Sequence, residues 1–126
     1  MSITFEIEKV SPIVNEDIDY DTLIFKIMSP KKVNIDNGKD LWIFFKTVIE
    51  GGVKKIIINL NDLDFIDSSG IGILINTAKL IRTKNGEFVM CNASADIKNV
   101  FKIINLQNFI KVYNSEHEAV DSFRYL

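Results

Sequence analysis

The order of apolar and polar positions predicts that strands and helices follow one another along this chain. Residues 3–9 alternate apolar and charged side chains, which is typical of a half-buried antiparallel or edge strand. Denser apolar runs at residues 22–28, 55–60 and 87–91 predict three further strands, and a shorter run at 109–113 predicts a last one. The segment between the first two strands is long, acidic and poor in core-forming residues, so we expect a loop there.

Between the strands, apolar residues recur every three or four positions, as they do on one face of a helix. Such stripes predict helices between the turn residues at 34–37 and the glycines at 51–52, then at 68–84, at 94–104, and from residue 115 onwards. The order β-β-α-β-α-β-α-β-α predicts an α/β fold in a single domain, residues 1–126. We expect a mixed β-sheet of about five strands with helices packed mainly on one face.

The stretch at residues 64–72, which reads DFIDSSGIG, lies where the loop leaving a strand becomes the second helix. Asp67 is the predicted helix N-cap, because its side-chain oxygens can accept hydrogen bonds from the free amides of the first turn. Gly70 and Gly72 keep that turn free of bulk, and Ile71, with Leu74, Ile75 and Ala78, begins its apolar face. A partner or a modifying enzyme can therefore approach the backbone closely here.

Two interpretations of Ser68 and Ser69 remain open on these grounds alone. In the first, this segment only caps a helix, as most Asp-Ser pairs at helix starts do. In the second, one of the hydroxyl groups accepts a phosphate. The amino terminus of a helix favours a negative group by about 0.3–1 kcal/mol, so the fold can carry that modification.

Composition narrows the class of protein. The chain has 126 residues and a formal charge of −2, which fits one domain and gives no electrostatic case for direct nucleic-acid binding. Its one cysteine, Cys91, lies in an apolar run and is expected to be a buried thiol. We expect a cytoplasmic domain without membrane insertion, because there is no secretory segment and no apolar run near the ~20 residues that span a bilayer.

The groups that enzymes need are missing from the sequence. The only histidine, His117, is predicted on the first turn of the last helix, and no nucleophile elbow, phosphate-binding loop or dinucleotide-binding motif is present. Asp62, Asp64 and Asp67 lack the spacing of a calcium loop and are expected to be solvated acids. We therefore expect no enzyme activity, no cofactor and no metal, and we favour a binding or switching module.

The chain resembles the STAS domain family, and most closely its bacterial anti-sigma factor antagonists. The resemblance is carried by residues 56–60, 63, 65–72, 86–87, 89–93 and 100–106, and it extends over residues 22–123. Residues 1–21, with a first strand and an acidic loop at 11–21, are the variable part. Residues 29–34, which read SPKKVN, stand where the family often has a Gly-Glu-Leu-Asp turn, so we expect the partner surface to differ here.

The resemblance implies a phosphorylation switch. In the family, the serine directly after the aspartate is phosphorylated by a partner that is both a serine kinase and an anti-sigma factor, and a metal-dependent Ser/Thr phosphatase reverses it. By position, the acceptor is Ser68, and Ser69 is the second candidate. The implied partner-binding residues are Asp64, Ile66, Asp67, Ser68, Ser69, Gly70 and Ile71.

Two other functions remain open from the sequence. One is a constitutive STAS scaffold within a larger signalling or transport assembly, in which Ser68 only caps the helix. The other is a small-ligand or nucleotide sensor that holds a phosphate at the same helix terminus. The loop before the second helix lacks a lysine that could bind a phosphate, so we favour this sensor least of the three functions.

Overall fold

The computed structural model describes residues 4–9, 22–29 and 31–123, so the predicted acidic loop lies outside the described residues. The strands are β1 (Thr4–Lys9), β2 (Thr22–Ser29), β3 (Lys32–Val33), β4 (Lys55–Asn59), β5 (Phe65–Ile66), β6 (Glu87–Cys91) and β7 (Val112–Tyr113). The helices are α1 (Gly38–Glu50), α2 (Ser68–Thr83), α3 (Ala95–Ile103) and α4 (Glu116–Ser122), with a short 3-10 turn at Leu106–Asn108.

The main sheet has five strands in the order β1-β2-β4-β6-β7. The edge strand β1 pairs antiparallel with β2, and the remaining neighbours pair in parallel. Parallel neighbours require crossover connections, and α2 supplies the one between β4 and β6. The predicted mixed α/β fold with about five strands is confirmed.

The sheet is covered on both faces, which explains why its central strands are almost continuously apolar. Ile56 and Ile58 of β4 point into the main core, which α1, α2 and α3 complete. Ile57, between them, points to the opposite face, where it packs in a second cluster with Ala119 and Phe123. Three of the four described helices thus lie on one face, and α4 covers the other.

The opposite face also holds the one cysteine. Cys91 is fully buried beneath α4, which confirms the prediction of a buried thiol. Burial raises the pKa of the Cys91 thiol to about 12, and the nearby Glu116 carboxylate contributes to the increase. A raised pKa favours the protonated thiol at neutral pH, which is a weaker nucleophile than the thiolate.

Two features of the fold differ from the sequence-based prediction. Strands β3 and β5 form a separate two-stranded parallel sheet where loops were predicted. The predicted strand at 109–113 is shorter in the structure, where only Val112–Tyr113 is paired as β7. The 3-10 turn at Leu106–Asn108 precedes it, and Leu106 and Ile110 are both buried. The small sheet lies beside the start of α2, since β5 ends at Ile66 and α2 begins at Ser68.

Candidate partner-binding site

Asp67 connects three parts of the structure at the start of α2. It is the N-cap residue of that helix, and its carboxylate Oδ1 accepts a hydrogen bond from the Gly70 amide at 2.9 Å. Its Oδ2 accepts a second hydrogen bond from the Ile35 amide at 3.1 Å. Its own amide donates to the Val33 carbonyl oxygen at 3.1 Å. Asp67 therefore joins the start of α2 to the turn that follows β3.

That turn, residues 34–37, is held by its own asparagines. The Asn34 Oδ1 accepts from the Asp36 amide at 2.9 Å, and the Asn37 Oδ1 accepts from the Asn34 amide at 2.9 Å. Asn37 is buried, and its Nδ2 donates to the Lys32 carbonyl oxygen at 2.8 Å. These bonds stabilise the turn internally, and the bond from the Ile35 amide to Asp67 joins it to the start of α2. Ile35 itself is 74% exposed.

The two serines differ in accessibility. Ser68 is the first residue of α2 and its side chain is exposed, whereas Ser69 is half-buried. The first amides of a helix have no partner within it and carry a partial positive charge, so this position tolerates an anion. Ser68 is thus open to an enzyme.

The other residues predicted to bind a partner divide by exposure. Asp64 is exposed, while Asp67 and Ile71 are half-buried. The side chain of Ile66 is buried in the main core, and Gly70 is buried as well. Ile66 and Gly70 therefore lie beneath the exposed residues, and the buried side chain of Ile66 offers no contact to a partner.

Gly70 is buried because the small sheet lies against it. A methyl group at this position would come within 2.6 Å of Ile66 Cγ1 and 2.9 Å of the Val33 carbonyl oxygen. Gly72 has no such neighbour within 4 Å. The two glycines therefore serve different purposes: Gly70 allows β3, β5 and α2 to pack closely, and Gly72 leaves the outer side of the helix open.

Sequence reasoning did not place two exposed apolar side chains, Ile35 and Phe65, in this site. Phe65 is 52% exposed although its neighbour Ile66 is buried, as expected for consecutive residues of a strand. Ile35 was detectable in principle, because it is an isolated apolar residue within the polar stretch at 34–37. Its approach to Asp67 was not, because 32 positions separate the two residues.

The described residues give little sign of other chemistry. No group of three or more His, Cys, Asp or Glu side chains within them could hold a metal ion. Asp62 lies 3.6 Å from the Lys26 amine, and His117 lies 3.3 Å from Asp121 on α4. None of the helices in the described ranges is long and apolar enough to cross a membrane.

Comparison with known proteins identifies the family. The profile described as the STAS domain matches residues 4–119, which is most of the chain. The chain belongs to the STAS domain family. A protein from Thermotoga maritima, named as a candidate anti-sigma factor antagonist, is 29% identical to this STAS domain over 100 residues, covering 78% of this chain and 88% of the relative.

Solved structures agree with the family assignment. The crystal structure of a candidate anti-sigma factor antagonist from Thermotoga maritima matches this STAS domain with a TM-score of 0.80 and 26% identity, covering 95% of this chain and 94% of that one. The unphosphorylated form of the anti-sigma factor antagonist SpoIIAA matches at a TM-score of 0.76 and 22% identity, covering 98% of each chain. Its phosphorylated form matches at 0.69 and 23%, covering 95% of this chain and 99% of that one. The two SpoIIAA matches show the shared fold.

Proposed function

We propose that this STAS domain is an anti-sigma factor antagonist controlled by phosphorylation of Ser68. In its unphosphorylated state it binds, in the cytoplasm, an anti-sigma factor that is also a serine kinase. The kinase transfers phosphate to Ser68 and releases the domain, and a metal-dependent Ser/Thr phosphatase restores binding. The observation that carries the proposal is the exposed Ser68 at the first position of α2, in a chain similar to proteins named as anti-sigma factor antagonists.

Accessibility favours Ser68 over Ser69 as the acceptor. A kinase must bring its phosphate donor within bonding distance of the hydroxyl oxygen, and only an exposed side chain permits this without local unfolding. Ser68 is exposed and Ser69 is half-buried. The role is regulatory rather than catalytic, since the STAS domain supplies the acceptor and the partner supplies the chemistry.

Electrostatics explains how the phosphate would release the partner. A phosphoserine carries about −1.5 to −2 charges at neutral pH, so any negative group of the partner that lies close to Ser68 in the complex would be repelled. A like charge ~6 Å away across the interface costs about 0.7–3 kcal/mol for effective dielectric constants of 80 to 20. The phosphate would also disturb the shape complementarity of the interface and lose its own hydration. If these effects and the repulsion together cost ~3–5 kcal/mol of binding free energy, the affinity would fall about a hundred- to several-thousand-fold.

The test is a pull-down from extracts of the source bacterium, read by mass spectrometry, followed by titration with the purified partner. We expect Ser68→Ala to bind the partner like the wild-type chain and to accept no phosphate, whereas Ser68→Asp binds at least a hundredfold more weakly. Ser69→Ala is the matched control for the acceptor and should incorporate phosphate like the wild type. Equal phosphate incorporation into wild type and Ser68→Ala would refute the site. A complete lack of phosphorylated protein in cells would instead favour a constitutive scaffold.

A further inference from the structure

We propose that Ile35 and Phe65 form the apolar part of the surface that the kinase partner covers, and that Asp67 is the positioning residue that holds Ile35 in place. The occupant is the protein that phosphorylates Ser68, so this inference rests on the proposed function. It adds two contact residues and assigns Asp67 a role beyond capping its helix.

The position of both side chains follows from the distance to Ser68. Phe65 is three residues away, and three residues of fully extended chain span at most ~11 Å. The Ile35 amide lies 3.1 Å from the carboxylate of Asp67, the residue before Ser68. A standard protein interface buries about 800 Å² on each partner, which corresponds to a disc of roughly 16 Å radius. An interface centred on Ser68 is therefore wide enough to include both residues.

The exposure of these residues supports a role in contact. Large apolar side chains concentrate binding energy when a partner desolvates them, and two of them lie beside the acceptor here. Phe109 is also exposed, but it lies elsewhere. It stacks on Arg82, in the last turn of α2, with 4.5 Å between the guanidinium carbon and the ring centre. Because 16 helical residues span about 24 Å, Phe109 lies at the end of α2 opposite Ser68.

Asp67 acts on Ile35 through the backbone. Its Oδ1 is committed to the Gly70 amide, and its Oδ2 accepts from the Ile35 amide. An asparagine retains one oxygen for the cap but turns an NH2 group toward the Ile35 N–H, and two donors cannot bond. Asp67→Asn therefore keeps the helix start and removes the restraint on Ile35.

The first experiment measures binding of the purified kinase partner, identified by its loss from the Ser68→Asp pull-down. We expect Ile35→Ala and Phe65→Ala each to weaken binding about tenfold or more, because several buried carbons are lost. Ile103→Ala is the control, because Ile103 is 80% exposed at the end of α3, an element that contributes no residue to this surface, and it should stay within twofold of the wild type. In phosphorylation assays, Ile35→Ala and Phe65→Ala should raise KM and leave kcat unchanged, because Ser68 itself is intact.

The second experiment tests positioning with a double-mutant cycle. Asp67→Asn should weaken binding about threefold to tenfold in the wild-type background but add less than twofold to Ile35→Ala, because both changes remove the same contact. Thermal unfolding checks that each variant is folded. If Asp67→Asn unfolds, Asp67→Ser replaces it, since a serine can cap the helix but cannot reach both amides.

The outcomes separate the two proposals. If Ile35→Ala and Phe65→Ala bind like Ile103→Ala while the wild type is phosphorylated on Ser68, the apolar surface is wrong and the proposed function stands. If Asp67→Asn and Ile35→Ala have additive effects, the positioning role is wrong. If the wild type and Ser68→Asp capture the same proteins equally, the proposed function fails and this inference fails with it.

Discussion

At the scale of single residues, Gly70 and Gly72 lead to opposite predictions for the same substitution. Gly70→Ala should lower the free energy of unfolding by about 1–3 kcal/mol, because the added methyl group would collide with Ile66 and the Val33 backbone. Gly72→Ala should raise it by about 0.5–1 kcal/mol, since alanine favours helix and no atom lies within 4 Å. Urea unfolding of both variants measures the difference. Changes of equal sign would contradict the packing described for α2.

Single residues also show what the sequence could and could not predict. Asp67 was identifiable as the N-cap of α2 because capping chemistry depends on residues adjacent in the chain, whereas Ser68 was selected as the acceptor only through the family resemblance. The hydrogen bond from the Ile35 amide to Asp67 depends on the parallel pairing of β3 with β5, which no local pattern reveals. The sequence also could not show that Ile66 is buried and Phe65 exposed, because both are apolar. The pairing of β5 with β3 decides which of the two side chains points into the core.

At the scale of elements, the N-caps of α2 and α3 provide a matched comparison. The Ser94 Oγ accepts only from the Ile97 amide at 3.2 Å, so Ser94→Ala should cost about 1 kcal/mol. Asp67→Ala should cost about 2 kcal/mol, because the Gly70 and Ile35 amides both lose their acceptor. Denaturant unfolding gives both values. Equal losses would show that the bond to Ile35 contributes nothing to stability and would weaken the case for Asp67 as a positioning residue.

Long helices and strands were predicted more accurately than short ones, because they contain more repeats of the apolar pattern. The second helix was predicted at 68–84 and is Ser68–Thr83, because sixteen residues display several turns of apolar periodicity. Strands β3 and β5 have two residues each, too few to show any alternation. The 3-10 turn at Leu106–Asn108 has only three residues, so it shows no periodicity either. The apolar run at 109–113 therefore predicted one strand, of which only Val112–Tyr113 is paired.

At the scale of the whole molecule, the mixed α/β fold was predictable because apolar runs such as 55–60 alternate with helical stripes along the chain. A helix between two such strands predicts parallel pairing with a right-handed crossover. Which face α4 covers was not predictable, since its apolar residues fit either side. The sheet decides it: Ile57 and Cys91 point away from α1 and α2, and their exposed surface is covered by Ala119 and Phe123.

The whole molecule should keep this fold when Ser68 is phosphorylated. Ser68 is exposed in the first turn of α2 and absent from both hydrophobic clusters, so the phosphate displaces no core side chain. Attraction to the helix terminus gains about 0.3–1 kcal/mol, and repulsion from Asp64 and Asp67 offsets it by a similar amount. The melting temperature should therefore change by less than about 4 °C.

Thermal unfolding of the phosphorylated and unmodified chains measures this change. Amide hydrogen exchange should show that the amides of β4 and β6 are equally protected in both forms. A fall of more than about 10 °C, or lost protection in those strands, would mean that release depends on unfolding rather than on charge at the surface.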